Sequence, residues 1–460
     1  MNKAIPGLLF LSLGGCAVHS GLQMSQPALP SQWRNQEAAS AALVTQPQWW
    51  RQFHSDTLDA LVKKALDANT DLLAASARVD QAQAQLQQAG ASLFPSLGLT
   101  GSASRSGVIG EGGSNSYAIN ANASYEVDLW GKLRGSRDAA AAALQASAFS
   151  RDTVQLTVVA SVVNSYLQVC YLTDNLALAR DNLALAEKVL AVVQAKVKYG
   201  AVSPQDLAQQ QTVVANQRAR LPALRQQLLA SRYALAVLVG EMPQQFTLQA
   251  QSLTELALPQ VQAGLPDQVL ARRPDGAAAL ATLMAADARV AVARADYWPA
   301  ITLTGSAGYG SSALSELLSG DALYSLGLSL GQTLFDGGAR RARTEQARAA
   351  WREQVANYTG TLLTALQEVE QSLAAIKALA AQTGFRQQAL DQASKAYRLA
   401  QVRYRQGETE ITDVLSVQSQ LNSARQNSLD LVLSQYQARV TLYRVLGLGS
   451  QLPTAPTDHH

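Results

Sequence analysis

The feature that most constrains the fold of this 460-residue chain is an internal duplication. The segment Phe94–Ser102 recurs as Trp298–Ser306 at an offset of 204 residues, and later matches keep nearly the same spacing. Leu235–Gly240 corresponds to Leu442–Gly447 at an offset of 207 residues. These nearly constant offsets indicate two copies of one unit. Because the period is far above 20–50 residues, a short-repeat solenoid is excluded.

Each copy contains two segments with the alternation of a β-strand. Along Tyr117–Leu129 the odd positions are apolar and the even positions are mostly polar, which is the period of a half-buried strand. The same alternation occurs in residues 97–103, 301–309 and 324–334. A tilted membrane strand needs about 9–11 residues. The chain therefore offers four candidate membrane strands.

Four strands cannot close a barrel by themselves, because the smallest outer-membrane barrels have about eight strands. Open sheet edges are not tolerated in lipid. The strands therefore either lie outside a membrane, as at the edge of a soluble β-sandwich, or belong to a barrel that several chains share. Three chains of four strands would give a barrel of twelve.

Each copy also contains a very long helical segment and a return segment. Gly135–Tyr199 has no proline and no internal glycine over 65 residues, or about 98 Å of helix. A seven-residue apolar series within it predicts a seam that packs against partner helices. Its members are Val162, Val169, Leu176, Leu183, Leu190 and Val197, and a second series, Leu172, Ala179, Ala186 and Val193, lies three residues after members of the first. The return segment, Leu207–Leu235, keeps this spacing, but Pro222 is expected to break or kink it. A rod-like coiled-coil scaffold would explain these seams but not the strands.

The N-terminus has the features of an export signal. Lys3 precedes the short apolar run Ile5–Leu13, and two glycines then lead to Cys16. The ending Leu13-Gly14-Gly15-Cys16 resembles a bacterial lipobox, in which the cysteine is lipidated; an incidental cysteine is the alternative. The aperiodic residues up to 48 predict a tether. No other run reaches the roughly 18–20 apolar residues of a membrane-spanning helix, so any membrane crossing is expected to use β-strands.

The composition argues against an enzyme and against nucleic-acid binding. Charged residues make up 15 % of the chain, and the net charge of +3 is spread over scattered basic residues rather than a basic patch. No nucleophile has a base at a recognisable spacing, no phosphate loop occurs, and nothing predicts a metal site or a cofactor. His54 is expected to have a structural or surface role, and Cys170 to be a small buried hydrophobe.

These parts together resemble the TolC/OprM-type outer-membrane efflux proteins, in the lipoprotein branch of the outer-membrane factor family. Trp49-Trp50-Arg51-Gln52-Phe53 looks like the opening motif of that family, and Arg272-Arg273-Pro274-Asp275 matches its mid-chain signature. Two further segments, 128–131 and 334–338, match its strand-to-helix turns. The likeness covers roughly residues 49–447.

The resemblance implies a mixed α and β fold in a homotrimer. A 12-stranded outer-membrane β-barrel, with four strands from each chain, would continue into a periplasmic α-helical coiled-coil barrel with a small equatorial belt. Its partners would be a periplasmic adaptor, an inner-membrane pump of the RND, MFS or ABC type, and outer-membrane lipid. The expected domains are a signal peptide at 1–15, a lipidated tether at 16–48, repeats at 49–264 and 265–447, and a tail at 448–460. The segment 241–265 and the tail would form the belt.

The resemblance also implies a periplasmic gate at the two helix-to-helix turns, Tyr199–Pro204 and Gln406–Glu410. Asp413 matches a pore-facing aspartate, for which a helix N-terminal aspartate stabilised by the helix dipole is the alternative. The position of a second family aspartate holds Ser416, and a basic clamp position holds Thr409.

Six further residues belong to the expected gate and tips. Glu408 and Glu410 add negative charge at the gate, which also includes Tyr404, while Gly200, Asp206 and Gly407 belong to hairpin tips that would receive the adaptor. A ring of carboxylates favours cations. The predicted function is a passive export duct for drugs or other small toxic compounds. The alternatives are a duct for type I protein or peptide secretion and a periplasmic scaffold lipoprotein.

Overall fold

The computed structural model describes residues 19–24, 29–35, 47–110 and 112–449. Within these residues, both copies of the duplication fold as two helices, two strands and two long helices. The first copy contains α1 (Asp56–Ala68), α2 (Thr70–Ala91), β1 (Ser96–Gly107), β2 (Gly113–Glu126), α3 (Lys132–Lys198) and α4 (Pro204–Leu238). The second copy contains α5 (Pro266–Arg272), α6 (Pro274–Ala295), β3 (Ala300–Ser311), β4 (Leu323–Gly331), α7 (Ala339–Gln406) and α8 (Ile411–Val445). Short 3-10 helices occupy Trp49–Phe53, Leu253–Glu255 and Leu314–Glu316.

The chain divides into two compact units. The strand unit contains all four of these strands and consists of Arg78–Ala148, Ala278–Gly360 and the described part of residues 1–27. The helical unit consists of the described residues among 28–77, 149–277 and 361–460. Helices α2, α3, α6 and α7 each contribute residues to both units.

The four strands form one antiparallel sheet in the order β1-β2-β3-β4. The predicted strands are confirmed, but β2 ends at Glu126 and β4 ends at Gly331, each three residues earlier than expected. The residues beyond these strands form turns in which Asp128 and Asp336 accept hydrogen bonds from backbone N–H groups at the start of the following helix. These turns therefore take over from the strands.

The register of the sheet collects the apolar residues of all four strands on one face. Leu97 lies opposite Ala123, and Leu303 lies between Tyr125 and Leu328. Cross-strand partners share a face, so the other face carries hydroxyl, amide and glycine positions. Its members include Thr100, Asn120, Asn122, Thr304, Ser306 and Ser325. The apolar face is exposed in the single chain, with Leu97 80 % and Leu326 84 % accessible. An exposed apolar surface of this kind marks contact with lipid or another chain.

The long helices are confirmed. α3 has 67 residues, or about 100 Å of helix, and α7 has 68. By length and mean hydropathy, α3 and α6 are long and apolar enough to cross a membrane, contrary to the expectation that no helix would be. The apolar window of α3 is 61 % buried within the chain, and core helices of soluble proteins meet the same criterion. This similarity to a membrane helix is therefore weak evidence of a membrane span.

The predicted seam of α3 is confirmed along one of its two series and in the first half of the other. Leu172, Ala179, Ala186 and Val193 are all buried. In the other series Val162, Val169 and Leu176 are buried, whereas Leu183 and Leu190 are only half-buried. The first part of α3 packs in the large apolar core of the helical unit. The last part packs in a second apolar cluster with residues of α7 and α8, which also contains Val189.

The expected break at Pro222 does not occur, because α4 continues through this residue. A proline inside a helix removes one backbone hydrogen bond and costs about 3 kcal/mol. The buried side chains Val214, Leu224 and Leu228 on both sides of it offset this cost by packing in the helical unit.

The mid-chain signature forms an ionic cluster in the helical unit around the buried Arg273, whose two carboxylate partners are half-buried. Arg273 donates to both carboxylate oxygens of Asp275, to Glu368 at 2.7 Å and to the carbonyl of Val445 at 2.8 Å. Burial alone would lower the pKa of the Arg273 guanidinium, but the hydrogen bonds and charges of these two carboxylates outweigh it and raise the pKa. Arg273 therefore links the start of α6 to α7 and to the end of α8.

Described parts of the tether are bound to the body of the protein. In the strand unit, Arg294 donates to the carbonyls of His19 and Ser20, at 2.6 Å each. In the helical unit, the buried Trp33 donates to the carbonyl of Gly264 at 3.0 Å. Glu370 accepts hydrogen bonds from the backbone of Arg34 and the side chain of Asn35. The expected signal peptide and Cys16 lie outside the described residues.

Candidate functional site

The first helix-to-helix turn joins α3 to α4 through a glycine and a capping box. Gly200 has φ +69°, and the N–H groups of Gly200 and Ala201 donate to the last carbonyls of α3. Ser203 caps α4 by accepting from the N–H of Asp206, and the Asp206 carboxylate accepts from the backbone and hydroxyl of Ser203. This reciprocal pair fixes the start of α4. Asp206 therefore has a local structural role at this tip.

The second turn joins α7 to α8 with the same backbone pattern. Gly407 has φ +80°, and the N–H groups of Gly407 and Glu408 donate to the carbonyls of Tyr404 and Arg403. Both glycines are required because a side chain at positive φ is strained. The two predicted turns are thus confirmed as equivalent elements of the duplication.

The second turn differs from the first in its capping. Glu410 occupies the N-cap position of α8 without a side-chain cap, and Asp413 instead accepts a hydrogen bond from the hydroxyl of Thr409. Asp413 lies in the first turn of α8, where the helix dipole stabilises a carboxylate. The structural alternative for Asp413 therefore holds in this chain, and it does not exclude a role in a pore.

The acidic residues of the second turn are exposed. Glu408, Glu410 and Asp413 all face solvent in the single chain, as does Ser416 one turn further along α8. Glu408 has one ionic partner, Arg403, at 3.6 Å. Exposed pairs of this type contribute about 0–1 kcal/mol. The turn therefore presents a group of carboxylates that local ion pairing hardly neutralises.

A contact between the two hairpins was not predicted from the sequence. Lys196, in the last turn of α3, donates to the carbonyl of Tyr404 at 2.9 Å, and its Nζ lies 3.8 Å from the centre of the Tyr404 ring. The two residues are 208 positions apart. The only relevant sequence feature was a lysine at a helix C-terminus, which is common.

Tyr404 is buried beneath this contact in the second apolar cluster. Val193 of α3 and Ile411 and Val414 of α8 belong to the same cluster, so the two turns of one chain pack together. The Tyr404 hydroxyl is buried and has no hydrogen-bond partner among the described residues. Burial, followed by the nearby Asp206 carboxylate, raises the pKa of Tyr404. The hydroxyl therefore stays neutral and leaves a polar group unsatisfied in this state, which is costly.

The remaining candidate reactive residues do not form a chemical site. His54 is exposed and ends the first 3-10 helix with φ 54°. Cys170 is fully buried, as expected, and burial raises the pKa of its thiol to about 12. Among the described residues, no group of three or more His, Cys, Asp or Glu side chains is arranged to hold a metal ion.

The fold is similar to that of solved outer-membrane channels. The crystal structure of the open state of the Neisseria gonorrhoeae MtrE outer membrane channel has a TM-score of 0.87 and 27 % sequence identity, covering 94 % of this chain and 98 % of that one. The sheet with one apolar face and the long helical hairpins thus define the class, an outer-membrane channel.

Sequence comparison gives the family. The model of the outer membrane efflux protein family matches residues 61–241 and 265–448. The pyoverdine export outer membrane protein OpmQ of Pseudomonas putida is 38 % identical over 455 residues, or 96 % of both chains. The probable efflux pump outer membrane protein TtgC of the same species is 32 % identical over 470 residues, covering 98 % of this chain and 96 % of that protein. The chain belongs to the outer membrane efflux protein family. It is a transport channel of the outer membrane and not an enzyme.

Proposed function

We propose that three copies of this chain assemble into one export channel. The observation that carries this proposal is the four-stranded sheet. One of its faces is apolar along all four strands, and its edge strands β1 and β4 each pair with a single neighbouring strand in the described chain. Unpaired edges are excluded from lipid, so the sheet needs neighbours to close it. Three sheets together make a barrel of twelve strands, with the apolar face toward lipid and the polar face toward the pore.

The helices of the three chains form the periplasmic tunnel, and the two helix-to-helix turns form its gate. Threefold symmetry brings three copies of Asp413 near the axis, with Glu408 and Glu410 beside them. The exposure of these carboxylates supports this role. Such a ring attracts cations and repels anions. Ser416 occupies the position of the second family aspartate, so a second carboxylate ring is absent there. The Lys196–Tyr404 contact holds the hairpins of each chain in the closed state.

Partner proteins open this gate. A periplasmic adaptor docks on the hairpin tips, where Gly200, Asp206 and Gly407 shape the two turns. An inner-membrane pump of the RND, MFS or ABC type delivers the substrate. The tight turns support docking because they leave narrow tips without bulky side chains at the glycines.

The chain is anchored through lipid on Cys16, after removal of residues 1–15. Residues 16–48 form the tether, residues 49–264 and 265–447 form the two repeats, and the tail begins at 448. The two separate matches of the family model support this division. Residues 241–265 and the tail form a belt around the tunnel.

The cargo is a small organic molecule. The names of the relatives, pyoverdine export for OpmQ and efflux pump for TtgC, favour this cargo over a secreted protein.

Mass and single-channel conductance of the detergent-purified protein test the proposal. We expect a trimer that carries a small, cation-selective and intermittent current in a planar bilayer. A monomer, or a membrane-bound species that never conducts under any voltage or with gate variants, would refute the channel assembly.

A further inference from the structure

At one end of the sheet, all four strands join a helix. The register pairs Ser96 with Ser124, Glu126 with Thr302 and Ala300 with Gly331, so the four helix-linked strand ends lie together. Five aromatic residues occupy the segments that connect strands and helices at this end of the sheet. They are Phe94, Trp130, Tyr297, Trp298 and Phe335. Trp130 and Trp298 stack with their ring centres 4.8 Å apart. Aromatic residues at the end of a membrane-facing strand mark the level of the lipid headgroups.

Basic residues outnumber acidic ones immediately beside these aromatic residues. The segments 127–138, 294–299 and 332–343 contain seven Lys or Arg and four Asp residues, an excess of three positive charges. Two of the arginines hold the strand-to-helix turns: Arg134 is bound to Asp128, and Arg340 is bound to Asp336. A third, Arg294, donates to the carbonyls of His19 and Ser20. This leaves four cations for a partner outside the chain.

The available cations are incompletely neutralised. Lys132 and Arg343 share one carboxylate, that of Asp296, at 2.9 and 3.4 Å. Within the described part of the chain, Arg137 makes only an exposed contact with its neighbour Asp138 at 3.5 Å. Arg341 is exposed and has no hydrogen bond or ion pair to any described residue. We call Lys132, Arg137, Arg341 and Arg343 the basic collar.

Described residues of the expected tether lie against the strand unit beside the basic collar. His19 and Gly21 line a cavity of about 730 Å³ together with Arg134 and Asp138, at the start of α3 beside the basic collar. His19 follows the proposed lipid-bearing Cys16 by three residues, which span at most about 11 Å. The surface that carries the start of α3 is therefore close to the lipid anchor.

We propose that the basic collar binds the phosphate groups of anionic phospholipids in the periplasmic leaflet of the outer membrane. This inference rests on the proposed membrane position of the sheet and lipidation of Cys16. The charge excess selects phosphatidylglycerol-type headgroups over zwitterionic ones, since each Lys or Arg near an anionic membrane surface changes lipid association by roughly fivefold. The aromatic residues set the depth at which these cations meet the headgroups.

Tryptophan quenching by brominated lipids tests the proposal. In a Trp351→Phe background, Trp130 and Trp298 report on lipid beside the collar. Trp33, Trp49 and Trp50 are buried in the helical unit, whereas Trp351 is a half-buried sixth tryptophan of the strand unit. The full-length lipidated protein is reconstituted in phosphatidylcholine vesicles, and brominated phosphatidylglycerol is compared with brominated phosphatidylcholine. We expect phosphatidylglycerol to quench preferentially. The preference should fall roughly fivefold for each of Arg137→Gln and Arg341→Gln.

The exposed Arg398 of α7 lies in the helical unit and supplies a matched control, Arg398→Gln, which should leave the preference unchanged. Equal quenching by both lipids, or an equal loss in the control, would overturn the proposal. A change in ion selectivity without a change in lipid preference would also overturn it, because the cations would then face the pore. The conductance of the same preparation separates the two hypotheses. A conducting protein without lipid preference refutes only the lipid site, whereas a protein that neither assembles nor conducts refutes the channel itself.

Discussion

Replacing Lys196 by methionine should favour the open state of the channel. Methionine keeps much of the volume of the lysine stem but removes the ammonium group. That group makes one charge-assisted hydrogen bond, to the carbonyl of Tyr404, and one cation–π contact with the Tyr404 ring. Because Lys196 is half-exposed, each contact is assigned a free energy near the lower end of the usual range for its type. The hydrogen bond and the cation–π contact together then contribute about 2 kcal/mol.

If these contacts exist only in the closed arrangement, their loss shifts the equilibrium between closed and open states by roughly 30-fold per chain. Single-channel recording in planar bilayers measures this shift as an increase in the fraction of time open. Lys198→Met is the matched control, because Lys198 is exposed on the same helix turn and makes no hydrogen bond or ion pair with described residues. Lys196→Arg should keep most of the closed population. An open fraction for Lys196→Met equal to that of Lys198→Met would show that this contact does not hold the gate.

Four further outcomes are expected. Asp413→Ala should reduce cation selectivity or raise conductance in bilayers, and unchanged values for both would remove Asp413 from the gate. Cys16→Ala should abolish labelling with radioactive palmitate while trimers still form, as judged by mass. Arg273→Gln should lower the free energy of unfolding by about 1.5–3 kcal/mol in chemical denaturation. It removes charge-assisted hydrogen bonds to Asp275 and Glu368, while Arg444 remains 3.7 Å from Glu368. Burial alone would raise the pKa of Asp128, but hydrogen bonds from the backbone and side chain of Arg134 lower it below 3.8. Its stabilising effect is therefore present at neutral pH and disappears as the pH falls through the lowered pKa. Asp128→Asn should have a lower thermal unfolding temperature than the native protein at pH 7, and the two temperatures should converge in acid.

The sequence predicted the elements that depend on local chemistry. Alternation located the strands, the absence of proline and glycine located α3, and the glycines at 200 and 407 located the turns. The strand ends and the continuity of α4 through Pro222 depended on hydrogen bonds and packing that local patterns do not contain. The Lys196–Tyr404 contact could not be predicted for the same reason, because it joins two copies of the duplication across 208 residues.

The expected seam of α3 differs from the buried residues in an informative way. One of its two series is buried throughout, whereas the other includes Leu183 and Leu190, which the single chain leaves half-buried. The sheet behaves similarly, because its alternation predicts a covered face that the single chain leaves exposed. Apolar patterns record the surfaces that are removed from water in the working assembly, and part of that burial comes from lipid and neighbouring chains. The residues that the pattern marks as buried but the single chain exposes are therefore where the proposed trimer and the membrane should cover it.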